Sequence, residues 1–241
     1  MPAAQVPKPI ANRDRLIFAL DVPDAGQARQ LVDTLDDAVT FYKIGMELLT
    51  SGNYFSLLDW LVERDKKVFV DLKFFDVPAT VGRAVTGLAG RGVTFATVHG
   101  NQGVMEAAAA AKQDVGILAV TALTSLDRGD LDDLGFACDV EALVLSRARR
   151  ALEAGCDGVI SSGLEAPALR EHIDHRLLVV TPGIRPVENR PADDQKRVVD
   201  VAQAFHNGAD HIVVGRPIRN ADDPKAAAEA IQATISEVFS A

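Results

Sequence analysis

The sequence has little cysteine, no excess of basic charge and no long apolar run. Its 241 residues include only two cysteines, Cys138 and Cys156, so a disulfide framework is excluded, and neither belongs to a CxxC motif. Lysine and arginine number 25 against 34 aspartates and glutamates, which gives a net charge of −9. This balance argues against nucleic acid or an anionic membrane as the main partner.

Targeting and nucleotide-binding signals are also missing. No uncharged apolar run approaches the roughly 18 residues that a membrane-spanning helix needs. The proline-containing segment 1–15 lacks the apolar stretch of a signal peptide, so we expect a cytoplasmic protein. The first apolar run ends in LDVPD rather than in the glycine-rich fingerprint that an open doubly wound sheet usually shows after its first strand.

What the sequence does contain is a regular alternation of two kinds of segment. Compact apolar runs, typical of strands buried on both faces of a parallel sheet, occur at 16–20, 39–44, 67–70, 93–98, 115–120, 157–160, 177–180 and 210–214. Segments with helical spacing lie between and after them, at 25–37, 55–65, 79–92, 105–113, 139–155, 165–172, 194–208 and 223–239.

Eight strand–helix units in one chain of this length predict an α/β protein with a single TIM barrel. We expect residues 1–12 to form a flexible tail and residues 13–241 to form one (β/α)8 barrel catalytic domain. An open doubly wound sheet is the alternative, and the missing fingerprint disfavours it.

In such a barrel the chemistry collects where the strands end, and the segment DLKFFDVPAT at 71–80 is the clearest candidate there. Side chains alternate along a strand, so Asp71 and Lys73 should point to the same side, into the mouth of the barrel. Lys43 directly follows another apolar run and can join them or extend to solvent. A structural ion pair at the rim remains open as an alternative for these charges.

A second group of residues follows the last two predicted strands. Gly215 and Arg216 come after the eighth strand, and Gly183 and Arg185 follow the seventh. Barrels often bind phosphate with these two loops, and an arginine fork matches phosphate oxygens, although a solvated rim arginine is also possible. The long polar loop 182–195 is predicted to be a lid.

Several motifs together carry a resemblance to a known family. These are the DxKxxD segment with the Pro and Thr that follow it, FYKIG, ALTS, TPGIRP and VVGRPI, and they occur in the expected order. The chain closely resembles the bacterial orotidine 5'-phosphate decarboxylase family from Leu16 to the last helix. Val77 is a departure, since the family more usually has Ile at this position.

The resemblance implies decarboxylation of orotidine 5'-phosphate to UMP, the last step of de novo pyrimidine synthesis, with no metal and no organic cofactor. Lys73 would stabilise and protonate a carbanion at C6 of the pyrimidine. The residues that match the family's catalytic positions are Lys43, Asp71, Lys73 and Asp76. Those that match its substrate-binding positions are Asp21 and Lys43 for the ribose, Thr124 for the pyrimidine, Arg185, Gln195, Gly215 and Arg216 for the phosphate, and Thr80.

The resemblance further implies a homodimer, because Asp76 and Thr80 reach the site from the neighbouring subunit in this family. Three alternatives remain. One is a Mg²⁺-dependent sugar-phosphate decarboxylase or aldolase of the same superfamily, which has a metal-binding Glu where this chain has Lys43. Another is a phosphoribosyl-binding barrel of amino-acid biosynthesis, and the third is an inactive barrel that binds nucleotides or partners.

Overall fold

The computed structural model describes residues 8–185 and 198–240, and its centre is a closed barrel of eight parallel strands. The strands are Leu16–Ala19 (β1), Phe41–Gly45 (β2), Lys67–Phe74 (β3), Val93–His99 (β4), Gly116–Val120 (β5), Gly158–Ile160 (β6), Leu178–Thr181 (β7) and His211–Val214 (β8). They follow one another in sequence order around the barrel, and β1 pairs with β8 to close it. The predicted TIM barrel is confirmed.

Helices surround the barrel on the outside. In the described residues the α-helices are Ala25–Leu35 (α1), Met46–Thr50 (α2), Tyr54–Val62 (α3), Pro78–Thr86 (α4), Gln102–Ala111 (α5), Arg128–Asp133 (α6), Val140–Ala154 (α7), Ala166–His172 (α8), Val201–His206 (α9), Arg216–Arg219 (α10) and Pro224–Phe239 (α11). Eight of them match the predicted helical segments. The short helices α2, α6 and α10 were not predicted.

One predicted helix begins later than expected. The sequence pattern places a helix at 194–208, whereas α9 begins at Val201, and residues 194–197 lie outside the described part of the chain. Asp200 caps α9 by accepting a hydrogen bond from the backbone N–H of Gln203 at 2.7 Å. Val199 instead pairs with Ile184 in an isolated parallel bridge, which excludes it from the helix.

The barrel separates two apolar layers. Inward side chains from the strands fill its interior, and these are Ile17, Ala19, Phe41, Phe69, Phe95, Leu118, Val120, Ile160, Val180 and Val213. The larger outer layer lies between the strands and the helices. Because the interior is packed with side chains, space for a ligand remains only towards the ends of the strands.

Strand β3 extends further than its apolar run indicates. The run ends at Val70, but the strand continues to Phe74, and its pairing with β4 shifts register between Val70 and Phe74. Lys73 has a backbone φ of 48°, in the left-handed region that non-glycine residues seldom adopt. The strand thus carries two charged residues, Asp71 and Lys73, beyond the apolar interior.

The first described residues lie at the opposite end of the barrel. Lys8, which belongs to the predicted tail, donates to Asp210 at 2.6 Å and to the Leu177 carbonyl at 3.1 Å. A 3₁₀ helix at Asn12–Asp14 then leads into β1. Across the two described ranges, no helix is both long and apolar enough to cross a membrane.

Candidate active site

A cavity of about 450 Å³ lies at the carboxyl ends of the strands. Its floor is apolar and consists of barrel-interior side chains, among them Phe69, Ile160 and Val213. Polar and charged residues form the walls, and these are Asp21, Lys43, Asp71, Lys73, Thr124, Ser125, Arg185, Arg216 and Arg219. The strand ends therefore bring most of the predicted site residues into one cavity.

Four of these side chains form a row of alternating charge. Lys43 Nζ lies 2.9 Å from Asp21 Oδ1 and 3.4 Å from Asp71 Oδ2. Lys73 Nζ lies 2.9 Å from Asp71 Oδ1 and 3.0 Å from Asp71 Oδ2. Asp71 is thus held between two ammonium groups, and the predicted alternation along β3 does place Asp71 and Lys73 on the same side.

The electrostatics of the row keep its central members charged. Burial disfavours the carboxylate form of Asp71, but Lys43 and Lys73 outweigh burial and lower the pKa of this carboxyl below its ordinary value. Burial likewise disfavours the Lys43 ammonium, yet Asp71 and Asp21 leave its pKa raised. Both groups are therefore ionised at neutral pH, although both are largely removed from water.

Thr97 on β4 also contacts this row, although it was not among the predicted site residues. Its Oγ1 donates to Asp71 Oδ1 at 2.9 Å and accepts from the backbone N–H of Lys73 at 2.9 Å. The alternation that places Asp71 two residues beyond the inward-facing Phe69 also places Thr97 two residues beyond the inward-facing Phe95. That period would have identified Thr97 as a neighbour of the charged row.

The second predicted group also lines the cavity. Its members Gly183, Arg185, Gly215 and Arg216 are all among the lining residues, and Thr124 lies there with them. Arg219 was not predicted, and it too faces the cavity, where it donates a hydrogen bond to the backbone carbonyl of Asp21. The sequence gives little indication of its position, because a helix of four residues is too short to show a helical period.

Two predicted residues lie away from this cavity. Asp76 is exposed, and its Oδ1 accepts from the backbone N–H of Val77 at 2.6 Å. Thr80 Oγ1 accepts from Arg83 at 3.1 Å. Beside them Phe75 and Val77 are each 63% exposed. Gln195 and most of the predicted lid, residues 186–195, lie outside the described residues.

The carboxylates of the site are engaged by ammonium groups rather than gathered together. Asp21 and Asp71 are each within 2.9 Å of a lysine Nζ. Within the described ranges, no group of three or more His, Cys, Asp or Glu side chains is placed to hold a metal ion.

The closed barrel places this protein in the (β/α)8-barrel class, and its charged cavity lies at the carboxyl ends of the strands, where barrels of this class have their active sites.

Residues 14–231 match the model of the orotidine 5'-phosphate decarboxylase / HUMPS family, and the chain belongs to this family. It is 70% identical over 234 residues to orotidine 5'-phosphate decarboxylase from Methylococcus capsulatus, covering 97% of each chain. It is 53% identical over 240 residues to the enzyme of that name from Stenotrophomonas maltophilia, covering 99% of each. The family resemblance inferred from the motifs is confirmed.

Solved structures agree with this assignment. The crystal structure of orotidine 5'-phosphate decarboxylase from Lactobacillus acidophilus superposes with a TM-score of 0.80 at 36% sequence identity. The superposition covers 92% of this chain and 99% of that one. The same barrel is therefore found in a relative whose sequence has diverged considerably.

Proposed function

We propose that this enzyme decarboxylates orotidine 5'-phosphate to UMP, without a metal or an organic cofactor, as the last step of de novo pyrimidine synthesis in the cytoplasm. The observation that carries the proposal is the charged row, in which Lys73 faces the cavity beside a carboxylate held between two lysines. The names of the relatives add independent support.

Different residues of the cavity would bind the phosphate, the pyrimidine and the ribose of the substrate. Arg185, Gly215 and Arg216, together with Gln195, would bind the phosphate, and Thr124 would contact the pyrimidine. Asp21 and Lys43 would hold the ribose. The binding energy of the phosphate, which is remote from the reacting carbon, would then keep the substrate against the charged row.

The chemical step breaks the bond between C6 and the carboxylate. CO₂ departs, the electron pair stays on C6, and the ammonium of Lys73 stabilises the resulting carbanion. Lys73 then donates a proton to C6 to form UMP and regains a proton from solvent. A cation aimed at C6 supplies stabilisation only as negative charge develops there, so it lowers the barrier rather than merely tightening binding.

Asp71 would contribute through repulsion of the substrate carboxylate. Two like charges about 4 Å apart interact by roughly 4 kcal/mol at an effective dielectric constant of 20, and the departure of CO₂ relieves this repulsion. At about 1.4 kcal/mol for each tenfold in rate, this effect supplies part of the acceleration. Transition-state stabilisation would supply the remainder, with the phosphate contacts holding the charged row in place.

The proposal includes a homodimer with a shared active site. Asp76 and Thr80 would complete the partner's cavity, as in the family that the sequence resembles. Two observations support this arrangement: Asp76 does not line the cavity of its own chain, and it is exposed beside the apolar side chains of Phe75 and Val77. An exposed apolar surface of this kind is typical of a contact site.

The test of the activity is the ultraviolet absorbance of orotidine 5'-phosphate mixed with purified protein, followed by identification of UMP as the product. We expect turnover at catalytic protein concentration, with the same rate in the presence of EDTA. No spectral change would refute the enzyme proposal. Activity lost in EDTA and restored by Mg²⁺ would favour the metal-dependent sugar-phosphate class instead.

The shared site has its own test, which uses two inactive variants. Lys73→Ala and Asp76→Ala should each be inactive alone, whereas a mixture should regain part of the activity, because hybrid dimers contain one intact site. Exchange of subunits is verified by mass spectrometry of differently labelled chains. Inactive mixtures after proven exchange would contradict a shared site.

A further inference from the structure

We propose that Thr97 is a positioning residue that holds Asp71 and Lys73 in their reactive arrangement. This inference rests on the proposed function and adds a residue outside the set that the family motifs suggested. Thr97 is fully buried, lies on β4 and contacts both members of the pair on β3.

The first observation that supports a positioning role is the backbone conformation of Lys73. Its φ of 48° is unfavourable for a residue with a side chain, so the conformation persists only where the surroundings impose it. The β3–β4 ladder is irregular between Val70 and Phe74. The Lys73 N–H donates instead to Thr97 Oγ1 at 2.9 Å, so a side chain holds the lysine backbone in place.

The direction of the two hydrogen bonds is the second such observation. A carboxylate can only accept and an amide N–H can only donate, so the single hydroxyl proton of Thr97 must point at Asp71 Oδ1. The hydroxyl therefore has one orientation. It links the side chain of Asp71 to the backbone of Lys73, two residues further along the same strand.

This link matters because both oxygens of Asp71 contact lysine ammonium groups. Lys73 Nζ lies 2.9 Å from Oδ1 and 3.0 Å from Oδ2, and Lys43 Nζ lies 3.4 Å from Oδ2. The Thr97 hydroxyl adds a neutral donor, at 2.9 Å from Oδ1, that ties the carboxylate to a neighbouring strand. Without it, only the two flexible lysine side chains would set the position of the carboxylate.

The proposed phosphate and pyrimidine contacts lie on other elements, after β5, β7 and β8. Loss of the Thr97 hydroxyl should therefore impair the chemical step and leave substrate binding largely intact. A misplacement of about 1 Å in a catalytic arrangement costs about a hundredfold in rate.

The experiment compares Thr97→Val with Thr97→Ser and with the matched control Thr121→Val. Thr121 is also fully buried, at the end of the neighbouring strand, but its Oγ1 donates to the Ile160 carbonyl at 2.8 Å rather than to an ionised group. Steady-state kinetics with orotidine 5'-phosphate and the thermal unfolding temperature are measured for all three variants and the wild type.

We expect Thr97→Val to lower kcat about a hundredfold with KM within about threefold of the wild type. Thr97→Ser should recover most of the rate, and Thr121→Val should stay within about threefold. Hydrogen exchange at the Lys73 amide should be faster in Thr97→Val than in Thr121→Val, because only the former loses its acceptor. If Thr97→Val does not fold, Thr97→Ala is judged by the same criteria.

If the wild type is active and Thr97→Val has a similar kcat, the proposed role of Thr97 is overturned and the proposed function is not. A Thr97→Ser variant as slow as Thr97→Val, or an equal loss in Thr121→Val, would overturn that role as well, since either would indicate a general effect of packing. An inactive wild type would overturn the proposed function, and the kinetic role of Thr97 with it.

Discussion

The two ends of the barrel each bury a carboxylate among cations, and the surroundings of these carboxylates differ. At the carboxyl ends of the strands, Asp71 lies between Lys43 and Lys73 and faces a cavity. At the amino ends, Asp210 Oδ2 accepts from Lys8 at 2.6 Å and Arg170 at 2.6 Å.

The two sites differ in what surrounds the N–H groups of their cations that do not bind the carboxylate. Arg170 also donates to the carbonyls of Gly208 and Leu177, both at 2.8 Å, so its guanidinium is bonded on several sides to the protein itself. The ammonium of Lys73, whose side chain is 31% exposed, faces the cavity. Backbone groups therefore satisfy the charge network at the amino ends, whereas the network at the carboxyl ends borders a cavity that is open to a ligand.

The most severe loss of function should come from removing the Lys73 ammonium at the cavity. Lys73→Ala should lower kcat by at least about 10⁴-fold, which corresponds to about 5.5 kcal/mol of activation free energy, because it removes the proposed proton donor. The unfolding temperature should change little. The matched control is Lys67→Ala at the other end of the same strand, where Nζ binds Asp14 at 2.7 Å.

The control should retain wild-type kcat and KM, since Lys67 is at the opposite end of the barrel from the cavity. Equal losses of activity in the two variants would mean that the charge of β3, rather than the position of Lys73, determines the rate.

At the amino ends, Asp210→Ala should lower the free energy of unfolding by about 3–5 kcal/mol, because it leaves the buried Arg170 without its anion. Activity per folded molecule should stay unchanged. Denaturant unfolding measures the first and active-site titration the second. Asp174→Ala, which breaks the exposed pair with Arg176, is the control and should change stability little. A stable Asp210→Ala variant would show that the network contributes nothing.

His211 gives this end of the barrel a pH dependence. Burial lowers the pKa of its imidazole to about 4, from an ordinary value of 6.5. The unfolded chain therefore binds a proton more readily, and stability should fall by roughly 3 kcal/mol as the pH falls from 6.5 to 4.

The variant His211→Asn should remove this part of the decline, which denaturant unfolding at pH 7 and pH 4 would reveal. The exposed His206 offers the matched control, and His206→Asn should follow the wild-type curve. A decline of the same size in His211→Asn would assign it to other groups.

Removal of the Lys8 ammonium at the amino ends of the strands should have a weaker effect than any of these changes. Lys8→Ala should cost about 1 kcal/mol of unfolding free energy, because Lys8 is partly exposed and Asp210 keeps Arg170 as its partner. Both kcat and KM should match the wild type. A cost as large as that of Asp210→Ala would mean that Lys8, rather than Arg170, carries the network.

Much of the fold was predictable because parallel strands buried on both faces have a strong apolar signal. The predicted bounds of β1 and β4 to β8 lie within one residue of the observed ones. The end of β3 was missed because Asp71 and Lys73, which line the cavity, interrupt its apolar run after Val70. The short helices α2, α6 and α10 contain too few residues for a helical period to appear.

The site was predictable where local rules apply. Alternation along one strand predicted that Asp71 and Lys73 lie on the same side. The barrel fold predicted that the carboxyl ends of the strands meet at one site. The same alternation places Thr97 beside the charged row, but no local pattern shows a hydrogen bond between strands, so the Thr97 hydroxyl bridge was missed. The Arg219 bond to Asp21 was missed for the same reason. The pair of Arg170 with Asp210, far apart in the chain, was missed for the same reason.

The barrel and the types of residue at its carboxyl end follow from the sequence, because apolar periodicity and the alternation of strands with helices are properties of local segments. Which charges line the cavity and which are bonded within the protein depends on the folded chain. Pairing across strands, burial and the supply of backbone partners set that outcome, and each arises only when distant segments meet. The backbone of Lys73 is an example, since a threonine 24 residues later in the chain holds it in place.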